Sequence, residues 1–214
     1  ACKDLATARH SFSAIAPDGS PRQECNGAYW TNIDCFTYVL RLGAKPSEAL
    51  DDLFANPSKY TFECGTAMTI AYYRAIYHLI GPDAFDRVCP AMRICPVYGS
   101  GILPMYEVHG SGEQPGTPSP VMPGERGYIR NWAVSDKGSH DGWSGENVIS
   151  LGNGQYYGHP FGIKTAAEII AFLNTHRVPS AKQPASFSTL RGVLSVDEAI
   201  KLQAGIRRQV GTGQ

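Results

Sequence analysis

The chain has 214 residues, enough to bury a substantial core but short for two full domains, so one compact domain with appendages is expected. Lysine plus arginine total 19 and aspartate plus glutamate total 19, a balance that gives no footprint for nucleic acid or an anionic membrane surface. Hydrophobic residues make up 43% of the chain, yet no apolar run approaches the roughly 20 residues that span a bilayer.

Six cysteines, Cys2, Cys25, Cys35, Cys64, Cys89 and Cys95, are more natural in an oxidising compartment than in cytosol, and predict a secreted or extracytoplasmic protein. No CxxC pair is present, which argues against a structural zinc site. With Cys64 kept free for chemistry, at most two disulfides form. Cys89 with Cys95 is the first expected pair, and Cys2, Cys25 and Cys35 compete for the second. The start at Ala1 without a signal sequence fits a processed or excised module.

Residues 1–27 mix polar residues with Pro17, Gly19 and Pro21 and read as a disulfide-pinned arm. A strand is expected over 35–42. Pro46 then opens a short helix through Leu50, Leu53 and Phe54, which Asn56 and Pro57 end. The strongest helical signal covers 61–80, where Met68, Tyr72, Ala75, Ile76 and Leu79 recur at helical spacing before Gly81 and Pro82 stop it. Thr61 is the expected N-cap, with Cys64 in the first turn. Residues 99–127 are rich in glycine, proline and serine, and read either as a lid or as a plain surface loop.

The apolar runs 147–151 and 155–157 flank Gly152, Asn153 and Gly154 and predict a β-hairpin. A helix is expected over 164–175 with Ala167, Ile170, Ala171 and Leu173 inward. A linker over 178–184 and a last helix, begun by a capping box of Ser195 and Glu198 and reaching Arg207, complete the chain. The division is thus an arm at 1–27, a catalytic unit at 28–176, and a linker with terminal helix at 177–214.

A cysteine at a helix start gains from the N-terminal amides, which favour the thiolate and can act as oxyanion donors, while Gly65 permits close approach. The competing reading of Cys64 is a buried structural thiol or half of a disulfide. A two-residue Asn153-Gly154 turn pairs Val148 with His159 and puts Glu146 on the same face, where a carboxylate orients an imidazole. A three-residue loop would instead pair Asn147 with His159 and turn Glu146 away. His10, His78, His109, His140 and His176 read as surface residues. Glu63 either tunes the thiol or stabilises the helix dipole.

Three motifs point further: Tyr60-Thr61-Phe62-Glu63-Cys64-Gly65-Thr66-Ala67, Trp143-Ser144-Gly145-Glu146-Asn147-Val148-Ile149-Ser150-Leu151-Gly152, and Tyr157-Gly158-His159-Pro160-Phe161-Gly162-Ile163. They resemble the small bacterial spore-coat protein-glutamine gamma-glutamyltransferases, over roughly residues 28–174. The resemblance implies a single papain-like or NlpC/P60-like α+β domain, with a central antiparallel sheet flanked by helices and no calcium requirement. It implies Cys64 as nucleophile, Glu146 and His159 as catalytic partners, Glu63 as an auxiliary group, and Phe62, Trp143 and Tyr157 lining the cleft. Pro160 where the family has glycine, the cysteine-rich arm and a longer 99–127 loop are departures. The implied reaction is acyl transfer from a glutamine carboxamide through a Cys64 thioester to a lysine or other primary amine, on protein or peptide substrates. A deamidase of effector or toxin type with an inhibitor or immunity partner, a cell-wall peptide hydrolase, and a disulfide-stapled binding domain are the rivals.

Overall fold

The computed structural model describes residues 1–13, 23–34, 37–96, 106–111, 114–116, 122–132, 143–178, 182–195 and 201. In chain order these form α1 (Cys2–Ala8), β1 (Ser11–Phe12), β2 (Trp30–Asp34), β3 (Thr37–Leu40), α2 (Pro46–Ala55), a 3-10 turn (Pro57–Lys59), β4 (Thr61–Phe62), α3 (Cys64–Ile80), α4 (Pro82–Val88) and β5 (Arg93–Ile94). There follow β6 (Tyr106–His109), β7 (Arg126–Arg130), β8 (Gly145–Gly152), β9 (Gln155–Gly158), β10 (Gly162–Thr165), α5 (Ala166–Thr175) and β11 (Ser186–Leu194). The class is α+β, as expected.

The main sheet is antiparallel with strand order β10-β9-β8-β7-β11-β6. β8 lies inside it and is covered on both faces. Ile149 and its cross-strand partner Tyr157 pack into the larger core with Met68, Ile70 and Ile76 of α3. Val148 and Tyr156 face the smaller core with Ile169 and Leu173 of α5. Gly65 through Tyr73 of α3 are buried without a break, the signature of a helix enclosed on all sides. Each fully buried Ile or Met there contributes about 1.5–3 kcal/mol.

α2 begins at Pro46, whose missing N–H and fixed φ suit the first helical position. α3 starts later than expected: Thr61 and Phe62 pair with β1, and Glu63, not Thr61, is the N-cap. α5 is capped by Thr165 through a capping box with Glu168. Its buried residues are Ile169 and Leu173, whereas Ala167 and Ala171 face solvent, a correction to the face expected from sequence.

The arm is held without disulfides. Cys2, Cys25, Cys64, Cys89 and Cys95 are all free thiols, so the expected Cys89–Cys95 bridge is not formed. Cys89 instead packs in the main core as a small apolar group. Leu5 fills that core, β1 pairs in parallel with β4, and His10, read as a surface residue, is 6% exposed with Nε2 2.7 Å from the Leu53 carbonyl.

Two segments read as connections supply strands. β6 comes from within 99–127 and β11 from the C-terminal part, and they pair with each other as one edge of the sheet. Of the stretch 99–127 read as a lid or surface loop, residues 99–105, 112–113 and 117–121 lie outside the described residues. The last helix does too, apart from Ser195 and Lys201. Among the described residues no helix is long and apolar enough to cross a membrane.

Candidate active site

The thiol of Cys64 sits where the first turn of α3 meets β8. Glu63 caps the helix, its carboxylate accepting from Gly65 N at 2.8 Å and from Thr66 N. The amides expected to serve the sulfur are therefore occupied by Glu63. The Cys64 thiol in turn points to Glu63 Oε2 at 3.7 Å. Burial, then the Glu146 and Glu63 charges, push the Cys64 thiol well above its ordinary pKa, and the hydrogen bond from Asn147 pulls the other way. The resting group is a neutral thiol, contrary to the thiolate that the helix start alone suggests.

Asn147 comes to the sulfur because of the hairpin register. Asn153 and Gly154 form the two-residue turn with φ of 53° and 74°, the left-handed pair that a tight hairpin turn requires. Gly152 pairs with Gln155 as expected, but the register then shifts, and Ser150 pairs with Tyr156, Ile149 with Tyr157 and Val148 with Gly158. Leu151 is the extra residue, a β-bulge. This one-residue slip puts Asn147 on the face that Ile149 shares with α3, with Nδ2 3.1 Å from Cys64 Sγ.

Glu146 consequently belongs to the opposite face of β8. Its carboxyl packs over the bare α-carbon of Gly158, where an added Cβ would lie 3.0 Å from Oε1. Oε1 accepts from the backbone N–H of His159 at 2.7 Å. Glu146 is 1% exposed, and burial followed by the Glu63 charge raises its pKa well above the carboxylate range, against the lowering effect of the His159 amide. This environment favours its protonated form.

The His159 ring is engaged elsewhere than Sγ, with Nε2 3.3 Å from the Ser11 carbonyl and the Phe12 ring 5.9 Å away. Burial lowers its pKa to about 4, so the imidazole is neutral. Phe12 also stacks on Trp143 at 5.4 Å. Phe62 and Tyr157 are buried in the core, whereas Trp143, half-buried, contacts Phe161, Phe172 and His176 as well.

Two residues of β7 join the site without having been singled out in the sequence. Tyr128 pairs with Asn147, and its hydroxyl is raised to about 12 by burial and then by the Cys64 charge. Arg126 is 1% exposed and donates from Nε to Asn147 Oδ1 at 2.9 Å, with Nη2 on the same oxygen. Nothing in the sequence around Arg126 marks it for this contact, which the cross-strand register creates. Among the described residues no group of three or more His, Cys, Asp or Glu side chains is arranged to hold a metal ion.

A family model for protein-glutamine gamma-glutamyltransferase matches residues 1–202. The chain belongs to this family. The match begins at residue 1, so the N-terminal arm, taken from the sequence as a departure, falls within the family's pattern. A protein-glutamine gamma-glutamyltransferase of Bacillus pumilus is 35% identical over 185 residues, covering 86% of this chain and 69% of the relative. One from Halalkalibacterium halodurans is 33% identical over 167 residues, covering 78% of this chain and 55% of the relative. The chain thus spans between half and about two thirds of the length of these curated relatives. Among solved structures, a transglutaminase from Geobacillus stearothermophilus without its C-terminal extension is similar with a TM-score of 0.78 and 30% identity, covering 95% of this chain and 88% of that one.

Proposed function

We propose that this chain is a transglutaminase in which Cys64 attacks a protein glutamine carboxamide and passes the acyl group to a lysine or other primary amine. The observation that carries this reading is the Cys64 thiol lying between a carboxylate acceptor, Glu63 at 3.7 Å, and an amide donor, Asn147 at 3.1 Å. Glu63 takes the thiol proton as sulfur adds to the carboxamide carbon, and protonated Glu146 gives its proton to the departing ammonia. The products are a thioester, protonated Glu63 and ionised Glu146. The incoming amine then attacks the thioester, losing a proton to Glu146, while the released sulfur recovers its proton from Glu63. His159 keeps Glu146 in place through its backbone amide. This chemistry uses side chains alone and calls for no calcium.

The same thioester met by water would leave glutamate. Phe12 stacked on Trp143 beside His159 supports a dry intermediate and hence amine transfer. An extracytoplasmic setting, and an inhibitor or immunity partner, rest on cysteine usage alone. Intact masses before and after alkylation in denaturant without reductant would remove that support if all six cysteines react as thiols.

Mass spectrometry of a glutamine peptide incubated with a primary amine, run beside Cys64→Ala, tests the assignment. Amine incorporation that vanishes in the variant is the expected outcome. Glutamate formation without amine adduct would make the chain a deamidase. An unmodified peptide would turn attention to hydrolysis of cell-wall peptides or a non-catalytic module.

A further inference from the structure

We propose that Arg126 is a positioning residue for Cys64: its guanidinium clamps the Asn147 amide so that Nδ2 is aimed at the sulfur and stays so as the thiolate forms. The proposal rests on the reading of Cys64 as nucleophile. Arg126 and Asn147 are 1% and 3% exposed. β7 and β8 pair Arg126 with Ile149 and Tyr128 with Asn147, which makes Arg126 a diagonal neighbour of Asn147 on the face turned towards α3.

The clamp settles which way the amide points. A guanidinium has donors only, so the Asn147 atom that receives Nε at 2.9 Å, and Nη2 beside it, is the oxygen. The amide nitrogen is then left facing Sγ at 3.1 Å. Unclamped, the side chain is free to turn its oxygen to the sulfur, which opposes a thiolate. Arg126 is itself braced: Nη1 donates to the Tyr106 hydroxyl at 3.3 Å, and Tyr106 occupies the space that a side chain at Gly192 would need.

The electrostatics need such a device. The ionisable groups whose charges act on the sulfur are Glu63 from the cap of α3, Glu146 from the far face of β8 and the Tyr128 hydroxyl from β7. None of them offers a positive charge. The Arg126 guanidinium stands directly behind the amide, where its positive charge polarises the N–H bond that meets the sulfur. Lysine at this position keeps the charge but loses the two-pronged hold.

The test follows Cys64 alkylation by iodoacetamide across pH, with the Cys64 peptide quantified by mass spectrometry in protein that melts cooperatively. Arg126→Gln and Asn147→Ala should each move the reaction midpoint to higher pH by about one unit, the size of one charge-assisted hydrogen bond. The double variant should move it no further, because both act through one contact, and Arg126→Lys should recover part of the shift. A midpoint unmoved in either folded single variant, shifts that add in the double, or a lysine variant indistinguishable from wild type would each overturn the proposal. Should Arg126→Gln fail to fold, an unmoved midpoint in Asn147→Ala still overturns it. Amine incorporation that survives Cys64→Ala would instead sink the nucleophile reading, while these midpoints would still report on the clamp.

Discussion

Glu63 does two opposed things. Its carboxylate holds the first turn of α3 by accepting from the Gly65 and Thr66 amides, and its charge, 3.7 Å from Sγ, opposes ionisation of Cys64. Glu63→Gln should separate the two. One cap acceptor is retained at best, so stability should fall by about 0.5–2 kcal/mol in urea unfolding, while Cys64 should alkylate at lower pH. Glu146 gives a second test at this scale. Its pKa is raised in the folded protein, so the folded state holds the proton more tightly than the unfolded one. That stabilisation is complete below the unfolded pKa of about 4.3 and is lost as pH rises through the folded value. Glu146→Gln keeps an oxygen for the His159 amide without the ionisation, and should melt higher than wild type increasingly towards alkaline pH while losing amine incorporation. His159 has the opposite sign. Lowered to about 4, it costs stability as pH falls from its ordinary value near 6.5.

Among the elements, the β8–β9 hairpin decides what the thiol meets. Gly158→Ala would put a methyl group 3.0 Å from Glu146 Oε1 and 3.3 Å from its Cγ, and should cost about 1–3 kcal/mol by overpacking, read from the urea midpoint, together with weakened activity. The hairpin also shows where sequence reasoning ends. The Asn153-Gly154 turn and the Gly152–Gln155 pair were legible, because an Asn-Gly dipeptide between apolar runs has few other uses. The bulge at Leu151 was not, since nothing in Ser150-Leu151-Gly152 marks an extra residue, and one slip exchanges the faces of Glu146 and Asn147. α2, α3 and α5 were readable from their periodicity and stop signals. β11 was not, because Ser186 to Leu194 neither alternates nor runs apolar, and its pairing with β7 shifts register between Phe187 and Arg191. Motif identity singled out Cys64, Glu146 and His159 as candidates, but long-range packing alone brings Arg126, Tyr128 and Phe12 to them.

At the scale of the molecule, the N-terminal arm is an integral part of the fold. Leu5 is 3% exposed in the main core, and Ser13 donates from its backbone to Phe62 at 2.9 Å. Leu5→Ala should cost about 2–5 kcal/mol, measured by chemical denaturation. The arm's β1 pairs with β4 just ahead of Cys64, Ser11 with Thr61, and the Ser11 carbonyl also reaches the His159 ring across 148 positions of the chain. The order of synthesis gives this joint a temporal meaning. Residue 11 leaves the ribosome long before residue 159, so this strand has to wait for a partner made 148 positions later. Contacts of such separation are slow to close and late to be rewarded. A nascent chain would therefore carry Cys64 in an unfinished cleft until residue 159 has emerged, which delays crosslinking chemistry until both sides of the cleft are in place.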